Sequence, residues 1–149
     1  MILVRWHGRG GQGAFTAAKL LGAAYASDKR YALAFPSFGP ERRGAPVRAF
    51  TKLDNKVIRD RSEIKKCDYI IILDDTLFDS SYLDDLNEGG KVIVNSRLDF
   101  TDDRILSFDA QSIAEEELKA PITNTAMLGA LIGVLNDITE EQILKAVED

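Results

Sequence analysis

The chain opens on an apolar run. Residues 1–6, Met1-Ile2-Leu3-Val4-Arg5-Trp6, read as a buried strand that passes without a spacer into His7-Gly8-Arg9-Gly10-Gly11-Gln12-Gly13. Over residues 14–27, Leu20, Leu21, Ala24 and Tyr25 stand among many alanines and predict a closely packed helix. Residues 31–35 predict a second strand, and residues 47–51 alternate apolar and polar side chains as a half-buried strand does. Between these two strands, residues 36–46 are dense in proline and glycine and predict a long loop. The charged residues 52–66 predict an exposed turn or hairpin.

Tyr69-Ile70-Ile71-Ile72-Leu73 is β-branched and continuously apolar, the pattern of a central parallel strand covered on both faces. A helix is predicted from Asp74-Asp75-Thr76 to about Leu86, followed by a Gly89-Gly90 turn and a buried strand over residues 91–95. Residues 105–108 predict a further strand, and helices are predicted over residues 111–118, 123–135 and 140–147. This alternation predicts an α/β fold: a Rossmann-like, doubly wound, mainly parallel sheet with an inserted hairpin or loop. A length of 149 residues suits one domain, residues 1–149.

Composition narrows the function classes. With 45% hydrophobic and 29% charged residues the chain has the balance of a globular protein, and its net charge of -5 argues against a general nucleic-acid binder. No apolar run is long enough to cross a bilayer and no basic leader precedes the first strand, so a cytoplasmic protein without a membrane partner is expected. A lone cysteine, Cys67, can build neither an internal disulfide nor the four-ligand set of an iron–sulfur cluster.

Gly8, Gly10 and Gly13 fit G-x-G-x-x-G between strand and helix, where backbone N–H groups can approach a phosphate. The same glycines could instead serve only a tight turn and close helix packing. Phe35 and Pro36 stand where a dinucleotide-binding domain carries its ribose-binding acid, which weakens the case for a nicotinamide cofactor. Arg9 and Gln12 could donate hydrogen bonds outward from the loop. In Glu41-Arg42-Arg43, two guanidinium groups can clamp a phosphate or carboxylate with Glu41 orienting one of them, or the three can form an ion-pair cluster that pins the loop. Asn124 and Thr125 offer a cap to the helix that follows, or an anion or partner loop at the same helix end. Three residues invite chemistry that a plainer role explains as well. His7 could act in acid–base catalysis or hydrogen-bond locally to shape the glycine loop, Asp74 and Asp75 could bind magnesium or cap a helix, and Cys67 reads as a structural thiol.

Three segments in order, Arg5 to Gly13, Pro36-Ser37-Phe38-Gly39-Pro40-Glu41-Arg42-Arg43-Gly44-Ala45 and Asn124-Thr125-Ala126-Met127-Leu128-Gly129, closely resemble the γ subunits of pyruvate:ferredoxin oxidoreductases. That resemblance implies a subunit, inactive alone, of an enzyme that converts a 2-oxoacid and coenzyme A to acyl-CoA and carbon dioxide, with electrons passing to ferredoxin. It further implies alpha, beta and delta partner subunits that carry thiamine diphosphate, magnesium and iron–sulfur clusters. This chain would bind no cofactor alone and would support assembly and the coenzyme A region. Gly8, Arg9, Gly10, Gly11, Gln12, Gly13, Glu41, Arg42, Arg43, Asn124 and Thr125 are the candidate coenzyme A or partner contacts, and no catalytic residue or metal ligand is expected among them. Pyruvate is the expected 2-oxoacid, with a branched-chain 2-oxoacid or a pure assembly role as alternatives.

Overall fold

The computed structural model describes residues 1–9, 13–26, 30–37, 46–60, 62, 64–96 and 102–108. The helices predicted over residues 111–118, 123–135 and 140–147 lie outside the described residues, as do Gly10, Gly11, Gln12, Glu41, Arg42, Arg43, Asn124 and Thr125. The elements in chain order are β1 (Ile2–Arg9), α1 (Ala14–Tyr25), β2 (Tyr31–Pro36), β3 (Pro46–Asp54), β4 (Cys67–Ile72), β5 (Leu86–Asn95) and β6 (Ile105–Phe108). They form a six-stranded sheet in the order β2-β3-β1-β4-β5-β6. β1, β4, β5 and β6 are parallel neighbours, whereas β3 runs antiparallel to both β1 and β2. The sheet is thus mixed and mostly parallel, as the α/β reading expected.

Four local readings are corrected. β1 continues through His7, Gly8 and Arg9, because Gly8 pairs with Val47 and Arg9 with Pro46, while the Leu73 N–H donates to the His7 carbonyl at 2.8 Å. Gly8 is a strand residue, and the loop starts after Arg9. The antiparallel hairpin is β2 with β3, and β3 runs on through Lys52 to Asp54 where an exposed turn was expected. Lys52 is only 4% exposed, and its charge is tolerated because Nζ donates to the Asp60 carbonyl at 2.8 Å and lies 5.5 Å from the centre of the Phe35 ring. The helix expected to reach Leu86 is replaced by two 3-10 turns, Asp75–Leu77 and Ser80–Asp85. Asp74 accepts from the Thr76 N–H at 3.0 Å and Asp79 from the Ser81 N–H at 2.9 Å, so each aspartate starts a turn of its own and no longer helix can run through.

The fourth correction concerns Gly89 and Gly90, which lie inside β5 and not before it. Gly89 has φ 80°, a left-handed conformation that favours glycine. At Gly90 a Cβ would stand 2.9 Å from the Asn87 carbonyl oxygen and 3.0 Å from that of Asp68, both of them backbone atoms with little room to yield. Gly90→Ala is expected to cost about 1–3 kcal/mol as overpacking. Chemical denaturation followed by circular dichroism would register the loss as a lower midpoint, and an unchanged midpoint would contradict the close approach.

Alternation along β1 sorts its side chains between two layers. Val4 and Trp6 face α1, where they pack with Ala17, Ala18, Leu21, Ala49 and Leu53. The opposite face packs Phe35, Phe50, Ile70, Ile72, Val92 and Val94, with Leu77, Phe78 and Tyr82 of the 3-10 segment against it. Arg5 and His7 share that second face, and both are buried. Residues of α1 stay small where they meet β2: a Cβ on Gly22 would already be 3.4 Å from that of Ala32.

Candidate functional site

The polar residues of β1 build the site from the sheet outward. Arg5 donates from Nε to His7 Nε2 at 2.8 Å and from Nη2 to Asp85 Oδ2 at 2.8 Å. Its guanidinium lies 5.2 Å from the centre of the Tyr82 ring, on which the His7 imidazole stacks at 4.6 Å. Arg5, His7, Tyr82 and Asp85 thus tie the second 3-10 turn to the middle of the sheet. Burial first, then the positive charges of Arg5 and Arg48, push the His7 pKa down from 6.5 to about 3. A general base works best with a pKa near the working pH, so His7 is poorly suited to acid–base catalysis. Its described hydrogen bond is with Arg5 within the strand, where the plainer reading expected one that shapes the glycine loop.

At the C-terminal end of β1, Arg9 donates from Nε to Asp74 Oδ2 at 3.2 Å and from Nη2 to Thr76 Oγ1 at 2.9 Å. It links the ends of two parallel strands, the edge where open α/β sheets bind ligands. Gly13, with φ 81° and ψ 33°, begins α1 in the left-handed region and supplies no side-chain cap. Arg9 and Gly13, the described residues on either side of the glycine segment, thus end β1 and begin α1. Because Arg9 pairs with Pro46, the residue that starts β3, the segment holding Arg42 and Arg43 rejoins the sheet beside the point where the glycine segment leaves it. Of the sequence-predicted candidates, Gly8, Arg9 and Gly13 are placed along this edge.

Below these anchors lies a cavity of about 450 Å3 lined by His7, Ser37, Pro46, Val47, Arg48, Leu77 and Tyr82. His7 and Arg48 are cross-strand partners, and Ser37 and Pro46 flank the arginine segment in sequence. Sequence reasoning had not singled out Arg5, Ser37, Arg48, Tyr82 or Asp85. Arg5 carried one usable signal, a charge set between Val4 and Trp6 in a strand otherwise read as buried.

The other flagged residues have structural partners. Asp74 caps the first 3-10 turn, and Asp75 Oδ2 accepts from Ser96 Oγ at 2.8 Å. Among the described residues no three His, Cys, Asp or Glu side chains converge as a metal ligand set would. Cys67 is fully buried, which pushes its thiol up to about 11 and leaves little thiolate at neutral pH. One cysteine in the whole chain does not fit the ligand set of an iron–sulfur cluster. No helix among the described residues is long and apolar enough to cross a membrane.

Comparison with known proteins points one way. A pyruvate synthase subunit PorC from Methanothermobacter marburgensis is 44% identical over 152 residues, covering 100% of this chain and 86% of the relative. The common γ subunit of the pyruvate/ketoisovalerate oxidoreductases of Thermococcus litoralis is 43% identical over 159 residues, again covering 100% of this chain and 86% of the relative. The crystal structure of a pyruvate oxidoreductase PORC subunit from Thermotoga maritima superposes with a TM-score of 0.84 at 36% identity, over 99% of this chain and 83% of that one. Matched to the family's model over residues 3–149, and alike in fold to a solved subunit, the chain belongs to the pyruvate ferredoxin/flavodoxin oxidoreductase family.

Proposed function

We propose that residues 1–149 act as one domain, the γ subunit of a cytoplasmic 2-oxoacid:ferredoxin oxidoreductase of the pyruvate synthase type. The complex, with alpha, beta and delta subunits, interconverts pyruvate plus coenzyme A with acetyl-CoA plus carbon dioxide, the electrons passing to ferredoxin. Thiamine diphosphate, held with magnesium by a partner chain, supplies the carbanion stabilisation that decarboxylation needs. The clusters also belong to partner chains, since this one has a single cysteine. Its own part is to hold the phosphate-bearing end of coenzyme A at a subunit interface, through Gly8, Arg9, Gly10, Gly11, Gln12 and Gly13 on one side and Glu41, Arg42 and Arg43 on the other. Asn124 and Thr125 add a third contact at that interface.

The pairing of Arg9 with Pro46 carries this reading, because it ties the ends of both segments to adjacent points at the ligand-binding edge of the sheet. Backbone N–H groups from one segment and guanidinium groups from the other are complementary to phosphate. In the reconstituted complex, Arg42→Ala or Arg43→Ala is expected to raise KM for coenzyme A about tenfold, the loss of one charge-assisted hydrogen bond. KM for pyruvate should stay put. Loss of the complex, with no change in KM for whatever assembles, would favour a purely structural subunit. The Thermococcus litoralis relative is common to pyruvate and ketoisovalerate enzymes, so kcat/KM for pyruvate against 2-oxoisovalerate decides the substrate.

A further inference from the structure

Among the described residues, two side-chain donors at the cavity beside the end of β1, on His7 and Arg48, have no acceptor. His7 is 4% exposed, and its Nε2 already accepts from Arg5 Nε. An arginine can only donate, so this bond fixes the neutral tautomer with the proton on Nδ1. That second nitrogen has no acceptor among the described residues, yet no buried polar side-chain atom there is left unsatisfied. Nδ1–H is thus not walled off, and His7 lines the cavity. Beside it, on the paired strand, Arg48 is exposed and forms no ion pair among the described residues, in contrast to Arg5, which Asp85 neutralises. Ser37 adds a hydroxyl, and no carboxylate is among the described lining residues.

We propose that this cavity is an oxyanion pocket in which the Nδ1–H of His7 and the guanidinium of Arg48 bind a phosphate ester or carboxylate. Pro46, Val47, Leu77 and the Tyr82 ring form an apolar wall for the rest of the ligand. A volume of about 450 Å3 falls in the range of small-molecule sites and exceeds what an inorganic anion needs. The pocket deepens the coenzyme A reading by adding two contacts to it, but its chemistry is shared by two sources, a phosphate of coenzyme A and the carboxylate of the 2-oxoacid. His7 takes part as a hydrogen-bond donor that is already neutral, so binding requires no proton transfer.

His7 is the only histidine of the chain, so nitrogen NMR of its imidazole is free of overlap. The full chain, prepared without a histidine tag, is expected to show the neutral Nδ1–H tautomer at neutral pH. Coenzyme A or adenosine 3',5'-bisphosphate should shift that nitrogen saturably, and Arg48→Gln should weaken the response about tenfold. A response to pyruvate alone would keep the oxyanion pocket and assign it to the carboxylate. A proton on Nε2, or no response to millimolar coenzyme A, bisphosphate or pyruvate, would overturn the proposal. In the reconstituted complex, Arg48→Gln should raise KM for one of these substrates about tenfold. If it changes neither while Arg42→Ala still raises KM for coenzyme A, the pocket fails and the function proposed above stands.

Discussion

Trp6→Ala is expected to destabilise the chain by roughly 3–5 kcal/mol, the usual cost of truncating a buried large aromatic side chain. Trp6 is fully buried in the strand at the middle of the sheet, opposite Ala49 of β3 on one side and Ile71 of β4 on the other. Its small neighbours Ala17, Ala18 and Ala49 have no long side chains with which to fill the space. The indole also holds polar groups together: Nε1 donates to Thr51 Oγ1 at 3.0 Å, and Thr51 Oγ1 donates to the Ala18 carbonyl at 3.1 Å. One hydroxyl thus joins β1, β3 and α1. Thr51→Val keeps the volume but leaves the indole N–H without an acceptor, so it should cost about 1–3 kcal/mol by desolvation alone. A domain holds only about 5–15 kcal/mol in reserve, which makes the Trp6 variant a severe one. Trp6 is the sole tryptophan, so its own fluorescence cannot report on this variant and the urea midpoint must come from circular dichroism. A loss below about 1 kcal/mol at an unchanged denaturant slope would mean that the residue does not organise the α1 face.

Where a short apolar segment decides its own fate, the fold was legible. The runs at Ile2, Ile70 and Val92 became the parallel strands β1, β4 and β5, because a strand covered on both faces needs only apolar continuity to announce itself. The segment after Leu73 was misread because its apolar residues, Leu77, Phe78, Tyr82 and Leu83, do bury against one face of the sheet, but from two 3-10 turns and the link between them and not from an α-helix. Asp74 and Asp79 were the clue, each a side chain that competes with helical hydrogen bonding by capping a new turn. Lys52 was misread for the opposite reason: its charge looks like surface, but the Asp60 carbonyl, the Asp60 carboxylate at 3.8 Å and the Phe35 ring make its burial tolerable. Gly8 looked like loop because glycine usually is, but cross-strand pairing with Val47 is a tertiary fact that no local pattern contains.

The candidate site divides in the same way. Arg9 and Gly13 could be found from glycine spacing, since the strand-to-helix turn is local. The group of Arg5, His7, Tyr82 and Asp85 could not, because it joins residues about 80 apart in sequence through one hydrogen bond from Arg5 to Asp85. His7 was noticed as a lone titratable group, but the property that sets its role, suppression of its charge, comes first from burial, with the Tyr82 ring stacked on it, and then from the charges of Arg5 and of Arg48 on the neighbouring strand.

That suppression should make stability fall on mild acidification. In the folded chain burial and the nearby Arg5 and Arg48 hold the His7 pKa at about 3, and in the unfolded chain it returns to the ordinary 6.5. Between these values the unfolded chain binds a proton that the folded chain refuses, so His7 contributes its full stability above the unfolded pKa and loses it as pH falls towards the folded one. Linkage puts the loss at about 2 kcal/mol by pH 5 and about 3 kcal/mol by pH 4, relative to pH 8. Asp60, Asp79 and Asp102 are also held below their ordinary value, 3.8, by hydrogen bonds, but they give up their contribution only near and below that value. The loss between about pH 6.5 and 4.5 is therefore assigned to the imidazole. Urea midpoints measured across this window should decline in the native chain and much less in His7→Gln, whose amide oxygen can still accept from Arg5. His7 resonances should not titrate down to about pH 4.5, because a folded-state pKa of about 3 keeps the ring neutral there. An imidazole that titrates near 6.5, with flat midpoints in both proteins, would show that Arg5 and Tyr82 do not enclose it. The Nδ1–H donor proposed for the oxyanion pocket would then lose the hydrogen bond that fixes its proton.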